Sequence, residues 1–157
     1  MIFTAPVSKL MTRKLITVSP LDKMNAVKDI FDKHTVHHVL VVRHTQLVGL
    51  ISKTDYVQFL KCANAFASDS LAESQRLNSY KVEDVMTKGL ATLESSDRIN
   101  VALQVFAENR FHAIPIVDNG EVAGILTTYD IIKALLEEDE ARIKGIWNTV
   151  LSKEETV

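Results

Sequence analysis

The feature that most constrains this chain is that it repeats itself. Shifted by 75 residues, Val7–Leu60 lies over Val82–Leu135 without a gap, and 13 of the 54 paired positions are identical. Roughly three identities would be expected from average residue usage. They include Met11/Met86, Thr12/Thr87, Thr17/Thr92, Asp22/Asp97, Phe31/Phe106, His37/His112, Gly49/Gly124 and Asp55/Asp130. An internal duplication of this kind asks one structural unit to form twice. A unit of about 55 residues is too small to bury a satisfactory core alone, so the halves are expected to pack face to face.

Both halves predict the same series of elements. The short apolar runs Leu15–Val18 and Leu90–Leu93 read as first strands. Each precedes a helix-start signal, Ser19-Pro20-Leu21-Asp22 or Ser95-Ser96-Asp97. Met24, Val27, Phe31 and His34 then recur at helical spacing, as do Ile99, Ala102, Leu103, Phe106 and Arg110. Two β-branched runs follow in each half, His38–Val42 with Leu47–Ile51 and Ala113–Val117 with Val122–Leu126. The second pair is joined by Asp118-Asn119-Gly120, a strong hairpin signal because Asn and Gly accept positive φ. The first pair keeps the turn length with Arg43-His44-Thr45-Gln46. Helices are expected near Ser52 and Thr127, carrying Val57, Leu60 and Phe66, or Ile131, Leu135 and Leu136. The chain thus divides into a first motif (1–67), a polar linker (68–81), a second motif (82–136) and a C-terminal helix and tail (137–157). That last helix would align Ile143, Ile146, Trp147 and Val150, to cap the core or meet a partner.

The bulk composition narrows the function classes. Hydrophobic residues make up 46% of the chain, and 18 Lys plus Arg against 20 Asp plus Glu leave a net charge of −2 with no long basic run. A general nucleic-acid surface is not indicated. The single cysteine, Cys62, cannot form an internal disulfide, which suits a reducing compartment. There is no signal-peptide pattern and no apolar run approaching ~18 residues, so a soluble, cytoplasmic protein without membrane partners is expected.

With the repeats side by side, the sequence resembles a tandem pair of cystathionine-β-synthase-type (CBS) domains. The matching features are Val82-Glu83-Asp84-Val85-Met86-Thr87 and Leu10-Met11-Thr12 before the first strands, the run "FHAIPIVDNGEVAGILTTYDI", and its weaker partner "VHHVLVVRHTQLVGLISKTDY". The resemblance spans Val7 to about Leu136. It implies an α/β (α+β) fold: two β-α-β-β-α motifs related by a pseudo-two-fold axis, with sheets at the interface, helices outside and two equivalent clefts. It further implies a free-standing regulatory module rather than an enzyme, with no obligatory cofactor. Its clefts would take an adenosine-containing ligand such as AMP, ADP, ATP or S-adenosylmethionine. A homodimer of four motifs and a regulated enzyme or transporter are the implied partners.

The same resemblance assigns roles to residues. Asp55 and Asp130 match the ribose-holding position, where a carboxylate meets two vicinal hydroxyls through charge-assisted bonds of ~1.5–3 kcal/mol. An Asp in the first turn of a helix is also favoured by the macrodipole without any ligand. Ser52 and Thr127 match the phosphate-side hydroxyl position, beside free N–H groups of a helix start, and could equally be N-caps. Thr54 adds a hydroxyl next to Asp55, replaced by Tyr129 in the second copy. Thr17 and Thr92 match the position where the first strand passes the adenine or ribose, although threonine is ordinary in a strand. His38 stands where relatives place a phosphate-reaching basic residue, and its counterpart is Ala113. A triphosphate would therefore need Arg110, Lys53, Lys133 or a dimer partner for charge. On these residues the Asp55 cleft retains more ligand chemistry than the Asp130 cleft.

Two further readings compete. His34, His37 and His38 at helical spacing suggest a metal site, but the second copy keeps only His112 and the helix should end near His34. No nucleophile, base and orienting acid recur at catalytic spacing, and no phosphate-binding glycine loop is present. A protein-interaction or dimerisation module with degenerate, unoccupied clefts is the alternative to a ligand sensor.

Overall fold

The computed structural model describes the backbone of residues 2–61, 70–109 and 111–154, and the side chains of these except residues 2, 70 and 145–154. The first motif consists of β1 (Thr17–Val18), α1 (Met24–Lys33), β2 (His38–Arg43), β3 (Gln46–Ser52) and α2 (Lys53–Lys61). A helix α3 (Ser70–Ser79) follows, then α4 (Ile99–Asn109), β4 (Ala113–Asp118), β5 (Glu121–Thr127) and α5 (Thr128–Glu154). Short 3-10 turns at Val7–Lys9 and Val82–Asp84 precede the two motifs. The mixed α/β architecture and the twofold repetition of the hairpin-helix unit agree with the sequence.

The two hairpins superpose in register. His38 pairs with Ser52 and Ala113 with Thr127, and both ladders carry a register shift at the same place, Val41/Val42 and Ile116/Val117. In the second turn Asn119 and Gly120 take φ of 51° and 83°, as the Asn-Gly signal demands, and in the first His44 takes 59°. The first strands differ. In the first half β1 pairs in parallel with β2 through Thr17↔Leu40 and Val18↔Val41, whereas the second half has only an isolated parallel bridge, Leu93↔Ile116. The equivalent of Leu40 is Pro115, and proline has no N–H to donate, so the Thr92/Pro115 rung cannot close.

Three other expectations need adjustment. Asp22 and Asp97 do not cap the helices directly: each accepts the N–H three residues earlier, Ser19 or Glu94, at 2.8 Å and closes a turn ahead of the helix. Helix α1 buries Met24, Val27 and Phe31 and ends at Lys33 with the exposed His34 as its C-cap, as expected, but α2 buries Tyr56 and Phe59 while Val57 faces out. The polar linker is helical over Ser70–Ser79 and buries Leu77, and the C-terminal helix is continuous with the last helix of the second motif. Arg110, Cys62 and Phe66 lie outside the described residues, as do the side chains of Ile146, Trp147 and Val150.

The halves exchange their leading segments. Thr12 and Ile125 exchange backbone hydrogen bonds at 2.8 and 3.0 Å, and Leu50 and Thr87 do the same at 3.0 and 2.9 Å. Upstream, Val7 N–H donates to Asp97 O at 2.7 Å and Val82 N–H to Asp22 O at 2.8 Å. Each leading segment therefore belongs to the core of the other motif. Val7 and Met11 are buried with Ile99, Phe106 and Ile114, and Val82 is buried with Met24, Phe31 and Ile51. A third cluster of Leu40, Leu50 and Ile125, flanked by Leu15 and Leu90, joins the two sheets at the pseudo-two-fold axis.

Glycine is required where these segments cross. A Cβ on Gly49 would lie 2.5 Å from Met86 Sδ and 3.0 Å from Thr87 O, and one on Gly124 would lie 2.8 Å from Met11 Sδ and 3.1 Å from Thr12 O. Gly49→Ala and Gly124→Ala are each expected to destabilise the fold by about 1–3 kcal/mol, since overpacking a close contact has costs of that order. Thermal melting should show both, with Gly49→Ala the worse. Adding Met86→Ala to Gly49→Ala should recover part of the loss; strictly additive losses would mean that the sulfur contact is not the cause.

Candidate functional site

Both hairpins end where a helix begins, and the four-residue junction is the same in each. At the first, Ser52 N–H and Oγ–H donate to Asp55 Oδ2 at 2.9 and 2.6 Å, and Asp55 N–H donates back to Ser52 Oγ at 3.0 Å. At the second, Thr127 N–H and Oγ1–H donate to Asp130 Oδ2 at 2.8 and 2.6 Å, with a return bond of 3.3 Å. This is reciprocal capping of the helix start. The next N–H in each helix is anchored to a histidine carbonyl, Lys53 to His37 at 2.8 Å and Thr128 to His112 at 3.1 Å. The cap bonds fall on Oδ2 of each aspartate. Capping therefore fixes each carboxylate at a helix N-terminus, where the macrodipole favours its charge, without using Oδ1.

Between these junctions lies a cleft of about 730 Å³, lined from the first motif by His38, Ser52, Lys53 and Thr54 and from the second by His112, Thr127 and Asp130. Thr12 reaches the same wall because its leading segment crosses onto β5. The volume falls in the ~300–1,000 Å³ range of small-molecule sites. Hydroxyls, one carboxylate and one lysine thus converge from both motifs.

The sequence-predicted residues do not all share this cleft. His38, Ser52, Thr54, Thr127 and Asp130 line it, whereas Asp55 lines a separate cleft of about 350 Å³ beside Phe59, Arg76 and Tyr80. Thr92 lines a third, of about 300 Å³, near Leu90 and Gly120, and Thr17 is an exposed residue of β1 paired with Leu40. Ser52, Thr54 and His38 open onto the space that Asp130 lines, while Asp55 lines the smaller one. The flank of Asp55 is occupied by Arg76 of α3, which has no counterpart in the second repeat, and by Tyr80 and Asp84 beyond it. Thr12, Lys53 and His112 complete the wall. Thr12 and His112 were legible only as repeat identities, since nothing local announces that the leading segments cross.

His38 is not the expected cation. Burial holds its pKa below the ordinary value near 6.5, with His37 and His112 adding to the effect and Asp55 opposing it. It is therefore neutral near pH 7. His34, at the end of α1, is exposed, and among the described residues no group of three His, Cys, Asp or Glu is placed to hold a metal ion.

Comparison with known proteins places this geometry in a family. The CBS domain family model matches residues 7–61 and 82–137, and the chain belongs to the CBS domain family. An uncharacterised protein of Methanocaldococcus jannaschii is 25% identical over 123 residues, covering 78% of this chain and 44% of that protein. The inosine-5'-monophosphate dehydrogenase of Thermoplasma acidophilum is also 25% identical, over 131 residues, 83% of this chain and 24% of the enzyme. The chain thus spans under half the length of these relatives. Among solved structures, CBSX2 in complex with AMP superposes with a TM-score of 0.69 at 24% identity, covering 85% of this chain and 98% of that one. The CBS domain pair of a second protein, solved with 5'-methylthioadenosine and S-adenosylmethionine, gives 0.68 at 21% identity, covering 86% and 98%. These likenesses establish the fold as a CBS pair. No described helix is long and apolar enough to cross a membrane.

The depressed pKa of His38 sets a pH dependence. Between its folded pKa and the ordinary value near 6.5 the unfolded chain binds the extra proton, so the stability contribution is full above that window and lost as pH falls through it. The melting temperature should therefore begin to drop as pH falls below about 6.5, ahead of most carboxylates. His38→Gln should flatten that part of the profile; an unchanged slope would remove His38 as its source.

Proposed function

We propose that the protein is a regulatory module that binds an adenosine-containing ligand in the cleft between its two motifs. The observation that carries this reading is the convergence in one cleft of Asp130, Ser52, Thr54, Thr127 and Lys53, drawn from both repeats and set at two capped helix starts. A carboxylate with one oxygen spare for the paired hydroxyls of a ribose, beside hydroxyls set at two helix N-termini whose dipoles favour a phosphate, supplies complementary groups for such a ligand. The AMP and S-adenosylmethionine complexes of similarly folded CBS pairs support the same ligand class. With His38 neutral and Lys53 the cation on the wall, AMP or S-adenosylmethionine suits the cleft better than ATP.

In this reading Asp130 holds the ribose, Ser52 and Thr127 face the phosphate side, and Thr54 and His38 complete the wall. Thr17, Thr92 and Asp55 act at the edges of the interface, outside the main cleft. The ligand touches both motifs, so it stabilises the packing in which the two walls stand at the right separation. That differential affinity is what regulation requires. We further assign residues 1–67 and 82–136 to the two motifs, 68–81 to their connection and 137–157 to an extension. The module acts as a cytoplasmic homodimer controlling an enzyme or transporter and catalyses no reaction itself. A module that uses its surface rather than its clefts is the second reading, favoured by the exposure of Tyr129, Ile132, Leu136 and Ile143 along α5.

Calorimetric titration with AMP, ADP, ATP and S-adenosylmethionine separates the two. At ~100 times its dissociation constant a bound ligand should add ~2.7 kcal/mol of stability, visible as a rise in melting temperature. Asp130→Ala is expected to weaken binding by about 10- to 100-fold, or ~1.4–2.8 kcal/mol, with a smaller effect from Asp55→Ala. Losing a helix cap costs about 1 kcal/mol of stability in either variant, so affinity at a temperature where both are folded is the quantity to compare. Absence of binding by all four ligands would favour the surface-interaction reading.

A further inference from the structure

Arg76 has no counterpart in the second repeat, and among the described residues no carboxylate forms an ion pair with it. Its guanidinium lies 4.6 Å from the centroid of the Phe59 ring and 5.2 Å from that of Tyr80, whose rings meet edge to face at 5.5 Å. The aromatic contacts hold the cation in place. Its Nε is buried and has no hydrogen-bond acceptor, an unusual state for a guanidinium nitrogen. The side chain nevertheless lines an open cleft of about 350 Å³, together with Asp55, Gln58 and Asp84.

The two carboxylates on that wall are already engaged. Asp55 takes the N–H and hydroxyl of Ser52, and Asp84 Oδ2 accepts the N–H of Lys81 at 2.8 Å. Neither forms an ion pair with Arg76. The wall thus presents one fixed guanidinium and two acidic groups separated from it, with Phe59 and Val85 as apolar flank. A multiply charged phosphate would meet two carboxylates, and a plain cation would leave the guanidinium unpaired. A molecule with a carboxylate at one end and an ammonium close by satisfies both signs, since guanidinium and carboxylate pair through parallel hydrogen bonds.

We propose that the cleft between α2, α3 and the Val82–Asp84 turn is a second ligand site, for the zwitterionic head of an α-amino acid. The carboxylate binds Arg76, the ammonium lies toward Asp84 and Asp55, and an apolar side chain covers Phe59 and Val85. This site is separate from the adenosyl cleft and does not depend on it. The two meet only at the Asp55–Ser52 cap, since Asp55 faces one and Ser52 the other.

The test uses the full chain with L-leucine, L-methionine and L-phenylalanine as probes, and leucinamide and 4-methylpentanoate as controls lacking the carboxylate or the ammonium. At least one amino acid should shift the Arg76 Nε–H resonance in a saturable way and raise the melting temperature. Each control should bind at least tenfold more weakly. Arg76→Gln should abolish the effect, while Asp130→Ala should leave it intact. Because the resonance is read in the unaltered protein, the result stands even if the Arg76 variant folds poorly. No Nε–H shift with any of the three amino acids, or equal binding of the controls, would overturn the site.

Discussion

The whole arrangement depends on one exchange: each motif is completed by the segment that precedes the other. Met11-Thr12 lies across Gly124-Ile125, and Met86-Thr87 lies across Gly49-Leu50, with backbone hydrogen bonds on both sides of each crossing. Neither half can close its core without the other, which is how a unit of ~55 residues escapes the poor surface-to-volume ratio of its size. The exchange also fixes the relative position of the two hairpins. It brings Thr12 to the wall of the cleft and sets Ser52 and Thr127 facing a common space. The glycines of the repeated phrase serve the crossing, and the hydroxyl and carboxylate that follow them serve the helix start and the cleft.

Most of the fold was legible because the repeat tests every local signal twice. Asn119-Gly120 announces its hairpin, and the first hairpin, with weaker turn chemistry, inherits the assignment through alignment. Buried positions on α1 and α4 follow from their spacing, Met24, Val27 and Phe31 against Ile99, Ala102 and Phe106. Three things escaped. Pro115 removes one rung of a parallel ladder, a loss visible only once its partner is known. Ser70–Ser79 has a polar sequence, and its helix is tied down by Leu77, the one buried side chain among its described residues. The crossing of the leading segments is invisible to pattern reading, because a segment donating to its own motif and one donating to its neighbour have identical sequences.

The site was legible as chemistry and less so as geometry. Aligning Ser52 with Thr127 and Asp55 with Asp130 identified the capped junctions correctly, and the cap bonds match within a few tenths of an ångström. Identical junctions nonetheless face different surroundings. Beyond the first, the chain turns into α3 and brings Arg76 and Tyr80 against the Asp55 flank; beyond the second, α5 runs on to Glu154. Symmetry of sequence within the motifs is broken by what connects them. Residue-by-residue comparison favours the Asp55 cleft, and the connection, which that comparison leaves out, sets what surrounds each carboxylate.

Under the proposed ligand-binding role, the sharing of Ser52, Thr127 and Asp130 between cap and cleft would link occupancy to structure at short range. A ligand oxygen that takes a hydrogen bond from Ser52 or Thr127 competes with Asp Oδ2 for the same hydroxyl, at bonds of 2.6 Å. The backbone N–H of each residue still holds its carboxylate, so the helix start survives while the hydroxyl turns outward. The two caps sit on opposite walls, and each belongs to a helix whose motif is closed by the other's leading segment. The Met–Gly crossings leave no room for a Cβ at Gly49 or Gly124, so the leading segments pass the hairpins in close contact. Packed contacts of this kind shift between discrete arrangements more readily than they deform, so under the proposed ligand-binding role the crossings are where occupancy would reach the relative position of the motifs.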